Sequence, residues 1–193
     1  MEVDYALQKS KVVLPTKRYE HVERVTETAL SLAEKYHADQ YNVGIAAALH
    51  DYAKHMDKSL LQYWIETSID IPKDLIDYHH ELWHGPVGAK MIQHWFMIEN
   101  KDILNAVRWH TTGRAKMGLV EKIIFLADYI EPGRQFDAVY EARDLAQHDL
   151  DRACQYALKQ SILFLIDKKQ PIYPDTFQAY NELTKSIKKD GGN

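Results

Sequence analysis

His50 and Asp51, adjacent in the sequence, are side chains of the kind that hold metal ions, and they close an apolar run, Gly44-Ile45-Ala46-Ala47-Ala48-Leu49. Small residues of good helix propensity in such a run read as a buried helix packed closely on its neighbours. An ionisable pair at the end of that helix is costly unless it is paired, hydrogen-bonded or bound to a metal. The plainer reading of the dipeptide is a His-Asp pair with its imidazole near the negative pole of the helix dipole. Three further ligand-type residues, His84, His110 and Asp128, fall at the ends of separate predicted helices, and His21 lies near the start of another. Ligands dispersed in this way can converge in the core of a helix bundle, where metal sites are built from facing helices. Four imidazoles and two carboxylates suit divalent Fe, Mn, Co or Zn, and are poorly suited to Ca, which takes oxygen ligands. Six ligands exceed the need of one tetrahedral Zn, so two divalent ions sharing a carboxylate are expected.

The remaining histidines of the ten are weighed by position. His79 and His80 rival His84, since His80 and His84 are one helical turn apart. His55 is close to the centre but outside the pattern. His37, His94 and His148 lie in amphipathic stretches and read as surface or packing residues. Asp128, set in Phe125-Leu126-Ala127-Asp128-Tyr129-Ile130, is an acid among apolar neighbours, which a cation explains better than a helix-end hydrogen bond does.

The elements that must position these residues are all helical by periodicity. A short helix is predicted over about 4 to 12, stopped near Leu14-Pro15. A long one follows, capped by Thr16 and running to about His37, with Tyr19, Val22, Val25, Ala29, Leu32 and Ala33 as its apolar stripe. Asn42 is the expected cap of the central helix, which extends to about Lys54. Asp57 caps the next, where Leu60, Leu61, Trp64 and Ile65 recur at helical spacing. Pro72 fits the first turn of a short helix ending around His79-His80, and Gly85-Pro86 is expected to break the chain before a helix from about Pro86 to Ile98. Asn100 caps a helix ending at Arg108-Trp109-His110, and Thr111-Thr112-Gly113 supplies a turn. Leu119 to Ile130 is stopped by Pro132-Gly133. Further helices are predicted over about 137 to 147, over 149 to 168 with Asp149 as cap, and from Pro174-Asp175-Thr176, the last fraying from Lys188 to Asn193. Alternating strand patterns are absent, so the fold class is all-α: a helical bundle with a buried dinuclear metal site.

The chain has 193 residues, which predicts a single domain over 1–193 with its core about 16–168 and a C-terminal helix about 174–188. Hydrophobic residues make up 46% and charged residues 27%, ordinary values for a water-facing protein with a core. A net charge of -4 gives no electrostatic case for nucleic acid or an anionic membrane as partner. No uncharged stretch approaches a membrane span, and Met1-Glu2-Val3-Asp4 carries acid where a signal peptide carries base. Cys154 is the lone cysteine, which fits a reducing cytoplasm. The sequence leaves oligomeric state open, a homodimer included.

His21, His50-Asp51 and Asp128 together resemble the H…HD…D signature of the HD-domain metal-dependent phosphohydrolases, with His84 and His110 resembling the extra ligands of dinuclear members. Three segments, His84-Gly85-Pro86-Val87-Gly88-Ala89, His110-Thr111-Thr112-Gly113 and Ala127-Asp128-Tyr129-Ile130-Glu131-Pro132-Gly133-Arg134, resemble the bacterial YqeK family more closely, as does Ile172-Tyr173-Pro174-Asp175-Thr176. The resemblance covers about residues 15 to 185. It implies a symmetrical diadenosine tetraphosphate hydrolase with two ADP products and a di-iron centre.

In that setting Asp51 is the expected bridging carboxylate. His21, His50 and Asp128 complete one metal site and His84 and His110 serve the other, with a metal-held hydroxide as the attacking group. Lys54, one turn after His50, is placed to neutralise a phosphate oxygen. Arg134 can clamp phosphate bidentately, a geometry that suits guanidinium. Arg18 and the turn Thr111, Thr112 and Gly113 are further candidates for phosphate contacts. No Gly-rich phosphate loop is present. The competing readings are an HD nucleotidase or phosphodiesterase on another nucleotide, a di-iron oxygenase, and a nucleotide-binding regulatory module. The complete ligand set argues against the last.

Overall fold

A computed structural model describes residues 1–190, and among these all regular structure is helical. The helices are α1 (Val3–Val13), α2 (Thr16–Lys35), α3 (Gln40–Leu49), α4 (Lys58–Thr67), α5 (His84–Phe96), α6 (Lys101–Trp109), α7 (Leu119–Ile130), α8 (Asp137–Leu145), α9 (Leu150–Asp167) and α10 (Pro174–Asp190). Two 3-10 turns, Lys73–Asp77 and His80–Leu82, lie between α4 and α5. No described helix is long and apolar enough to cross a membrane.

The central element is α3, buried at every position from Asn42 to Leu49 after an exposed first half-turn at Gln40 and Tyr41. Its Gly44, Ala46, Ala47 and Ala48 present almost no side chain, so α1, α2, α6 and α7 all pack against it. The core formed there contains Val25, Ala29 and Leu32 of α2, Val107 of α6, and Ile123, Ile124 and Leu126 of α7. A second apolar cluster, with Leu61, Ile65, Leu75, Trp83, Val87 and Met91, fixes α4 and the 3-10 turns on α5. This cluster walls one side of the region where His84 emerges.

Several boundaries differ from those read in the sequence, each for a local reason. Thr16 is the first residue of α2, not its cap. Pro15 holds the cap position, and its carbonyl accepts from the N–H groups of Arg18 and Tyr19. Asp39, not Asn42, caps α3: its carboxylate accepts from the Asn42 backbone N–H at 3.0 Å and from the Asn42 amide at 3.1 Å. The α3 helix stops at Leu49 rather than Lys54, because His50 Nδ1 donates to the Ala47 carbonyl that a continuing helix would offer to Asp51. Gly85-Pro86 does not break the chain. It sits in the first turn of α5, where proline's missing N–H is not needed. The short helix expected after Pro72 is two 3-10 pieces. Leu60 of the α4 stripe is exposed, and α10 continues through Asp190, while Gly191 to Asn193 lie outside the described residues. The caps Asn100 and Asp149 are as expected, with side chains accepting from Asp102 N and Arg152 N.

Two glycines of α5 generate a test of how closely this helix must sit on its neighbours. A Cβ at Gly85 would lie 2.8 Å from the Arg108 carbonyl oxygen of α6, whereas one at Gly88 would meet Ala53 Cβ at 3.5 Å, an ordinary contact. Gly85→Ala should therefore lower stability by about 1–3 kcal/mol through overpacking against backbone. Gly88→Ala should be neutral or stabilising by up to about 1 kcal/mol through helix propensity. Urea midpoints of the two variants check the opposite signs.

Candidate metal centre

Asp51 lies at the convergence of five elements, with no solvent exposure. Its Oδ2 is 3.1 Å from His50 Nε2 and 3.7 Å from His21 Nε2, and its Oδ1 is 3.2 Å from His84 Nε2 and 3.8 Å from His110 Nε2. Asp128 adds its Oδ1 at 3.0 Å from His21 Nε2. The six residues thus meet although they come from α2, the ends of α3 and α6, the start of α5, and α7. Three overlapping triads, His21-His50-Asp51, His50-His110-Asp128 and Asp51-His84-His110, each have ligand atoms within 4.8 Å of one another.

Local structure aims the imidazoles. His50 and His110 stand at the C-caps of α3 and α6, where carbonyls lack their ladder donors. His50 Nδ1–H donates to the Ala47 carbonyl at 2.7 Å, and His110 Nδ1–H donates to the Val107 carbonyl at 2.8 Å. His84 Nδ1–H donates in the same way to the Glu81 carbonyl at 2.7 Å, at the end of the preceding 3-10 turn. His21 Nδ1–H donates to Glu131 Oε1 at 3.1 Å. Since a carbonyl only accepts, these contacts fix the proton on Nδ1 and leave Nε2 facing inward, the arrangement that orients metal-ligating histidines.

The donor set fits divalent cations on the observations of the cluster itself. His84 Nε2 and His110 Nε2 face each other at 2.9 Å while both Nδ1 atoms are occupied as donors. Burial pushes both imidazoles toward the neutral form, His110 well below its ordinary value, so two lone pairs oppose each other. His21 Nε2, His50 Nε2 and both Asp51 oxygens are buried without a well-directed hydrogen bond, the Arg18 guanidinium meeting Asp51 Oδ2 as an ion pair. Burial also raises the cost of charge on Asp51, yet the His50 charge holds it well below the usual carboxylate range. Burial is likewise overcome at Asp128, by His21 and then by Arg134. For His50 the burial penalty is outweighed by the Asp51 charge, and its value is raised. Buried carboxylates held ionised beside the inward lone pairs of His84 and His110 are what a cation stabilises.

The expected phosphate contacts divide. The Arg18 guanidinium meets Asp51 Oδ2 directly. Arg134 Nη2 donates to Asp128 Oδ1 at 2.7 Å and its Nε to the Asp128 carbonyl at 3.0 Å, so it grips a candidate ligand rather than standing free. Lys54 Nζ pairs with Glu81 Oε2 at 2.5 Å. The Thr111 hydroxyl lies 3.1 Å from His110 Nε2. Thr112 and Gly113 do not present themselves to a ligand. The Thr112 hydroxyl donates to the Gly113 carbonyl at 2.9 Å, and Gly113, with φ of 63°, is buried against Ala179, Met117 and Leu158. They shape the turn that ends α6. His79 and His80 lie outside the cluster, and His55 is exposed beside Lys54, as are His37, His94 and His148 on the surface.

Glu131 was not singled out by its type or spacing. It is buried, anchors His21, and is itself held by Arg24 Nε at 2.6 Å and by the Gly133 N–H at 2.5 Å. Its position three residues after Asp128, at the same end of α7, was the available signal. Arg143 of α8 completes this corner by donating to the carbonyls of Ile130, Glu131 and Arg134.

The chain is similar to known proteins along nearly its whole length. The HD domain family model matches residues 18–133, from Arg18 to the turn after Glu131. A Halalkalibacterium halodurans protein named bis(5'-nucleosyl)-tetraphosphatase, symmetrical, is 48% identical over 92% of this chain and 95% of its own. A Bacillus subtilis protein of the same name is 44% identical over 95% of this chain and 98% of its own. A crystal structure from Clostridium acetobutylicum, described as that of a predicted HD superfamily hydrolase involved in NAD metabolism, superposes with a TM-score of 0.90 at 35% identity, covering 96% of this chain and 98% of that one. With six candidate ligands gathered inside the matched segment, and relatives of this closeness along nearly the full length, the chain belongs to the HD domain family.

Proposed function

We propose that this chain hydrolyses diadenosine tetraphosphate symmetrically, giving two molecules of ADP, the reaction class named for the relatives at 40 to 48% identity. The observation that carries the reading is the division of labour at Asp51. One carboxylate oxygen faces His21 and His50, the other faces His84 and His110, and Asp128 joins the His21 side. His21, His50, Asp51, His84, His110 and Asp128 would hold two divalent ions, with Fe the metal we propose and Mn, Co or Zn compatible with the same donors. Ions held there supply Lewis acidity toward phosphoryl oxygens and lower the pKa of water.

The chain's own residues do the rest. The Nδ1 anchors keep four imidazoles in one tautomer. Arg134 fixes the orientation of Asp128. Arg18 lies on the Asp51 Oδ2 side of the cluster and Lys54 on the His84 side, so cations stand at both ends of the ligand row. A tetraphosphate laid across this row has its central bridge over the middle and one nucleoside diphosphate toward each flank, which is the geometry of symmetric cleavage. Positive charge held in place along developing phosphate charge is the chief electrostatic contribution to such a reaction. We assign the chain to the cytoplasm, where a lone buried thiol such as Cys154 stays reduced.

Replacing Asp51 and Lys54 separates holding metal from handling phosphate. Asp51→Ala should lose metal from both positions and lower kcat/KM by more than about 100-fold. Lys54→Ala should keep its metal by elemental analysis while kcat/KM falls about 100-fold. Full metal and full activity in both variants would reject these roles.

The reaction itself is tested with oxygen-labelled water and mass analysis of the products. ADP as the only nucleotide, with one label shared between the two molecules of each turnover, is the expected result. AMP together with ATP would mean asymmetric attack, and an inert substrate would return the case to another nucleotide.

A further inference from the structure

Beside the metal cluster lies a cavity of about 190 Å³ lined by Lys54, His55, Lys58, His80, Glu81 and His84. Its floor is a candidate metal ligand, since His84 turns Nε2 inward to Asp51 and His110. Two lysines against one carboxylate make it electropositive, and the imidazoles of His55 and His80 add polar ring nitrogens to the same wall. Glu81 is the exception in this lining. Its side chain, half exposed, pairs with Lys54 Nζ at 2.5 Å and lies 3.6 Å from His80 Nε2. Its main chain does something different: the Glu81 carbonyl accepts from His84 Nδ1–H. The residue therefore joins a movable anion to a fixed anchor of the cluster.

We propose that this cavity is the subsite for one terminal nucleoside diphosphate arm of the substrate, and that the Glu81 carboxylate is a resident anion which the arm's phosphates displace from Lys54. The inference rests on the tetraphosphatase reading. It adds a location for one half of the substrate and a residue that sets affinity for it. A phosphate oxygen and a carboxylate oxygen make the same charge-assisted bond to an ammonium, so one can replace the other without rearranging the lysine. Lys58 and His80 then face the remaining charge of a diphosphate, which a single carboxylate leaves uncompensated. Glu81 costs every anion the same displacement from Lys54, so the discrimination between ligands comes from Lys58, which only the longer one reaches. A nucleoside monophosphate is therefore bound less well than a diphosphate.

The test reads binding by calorimetry on the metal-loaded chain, with ADP and AMP as probes and metal content measured in each variant. Glu81→Gln keeps the backbone carbonyl that anchors His84, so its metal content should match the wild type. It should bind ADP and AMP each about 2- to 5-fold more tightly, the scale of a partly exposed ion pair, and leave the preference for ADP over AMP unchanged. The KM for the dinucleotide should fall in step. Lys58→Ala should retain metal and weaken ADP by a similar factor while leaving AMP nearly unchanged. Unchanged ADP affinity in both variants, or weaker ADP binding in Glu81→Gln, would overturn the subsite. Loss of metal from Glu81→Gln would also overturn it, since the carboxylate would then serve the cluster. Binding is read without turnover, so the two proposals fail separately. A wild-type chain that left the dinucleotide intact yet showed these shifts would reject the reaction and keep the subsite.

Discussion

Asp51 is a carboxylate with no solvent exposure, and an isolated charge so placed would cost several kcal/mol. The rest of the structure is arranged to make that position tenable. Four imidazoles surround it with inward nitrogens, Arg18 meets one of its oxygens, and Asp128 shares the load with Arg134 behind it. Meeting that demand requires ends of five elements at one point, and only a slender element can occupy the middle of such a bundle. The run Gly44 to Leu49 satisfies this, since its small side chains admit four neighbouring helices around it. Charge at Asp51 and smallness at Gly44, Ala46, Ala47 and Ala48 are therefore two aspects of one constraint.

Much of this was legible in the sequence because ligand chemistry and helical period leave strong marks. His21, His50, Asp51, His84, His110 and Asp128 were identifiable by type and by their places near helix ends, and the all-helical class followed from spacing. What was not legible depended on competition between local hydrogen bonds. Asp39 and Asn42 are both good capping residues, and only folding shows that Asp39 caps α3 while Asn42 accepts from the Asn100 amide. Gly85-Pro86 carries the composition of a break, but a proline in a first turn and a break after His84 look alike until the α6 backbone is seen against Gly85. Thr112 and Gly113 had the composition of a turn that could meet phosphate, and the burial of Gly113 against Leu158 of α9 and Ala179 of α10 is a long-range fact. Glu131 is the reverse case, an acid legible as a residue but not as the partner of a histidine far away in the chain.

The two carboxylates are asymmetric in a way that suits the proposed reaction. Asp51 is shared by both halves of the cluster, while Asp128 belongs to the His21 side, where Arg18 and Arg134 also lie. Lysine serves the other side, through Lys54 and Lys58. A substrate with two equal halves thus meets unequal flanks: planar guanidinium on one, compact ammonium on the other. Those groups differ in hydration and geometry, so in the proposed reaction the two halves would be held by different means.

The main-chain anchors of the histidines have a genetic consequence. His50, His84 and His110 are each oriented by a carbonyl three residues earlier, belonging to Ala47, Glu81 and Val107. A carbonyl survives every codon change at its position, so these orientations cannot be deleted by a point substitution that leaves the backbone in place. His21 alone is oriented by a side chain, Glu131, which one nucleotide change can remove. Inherited variation in the supporting layer is thereby channelled to a single corner of the site, where Arg24, Glu131 and Arg143 meet, while the other three anchors pass unchanged from one sequence variant to the next.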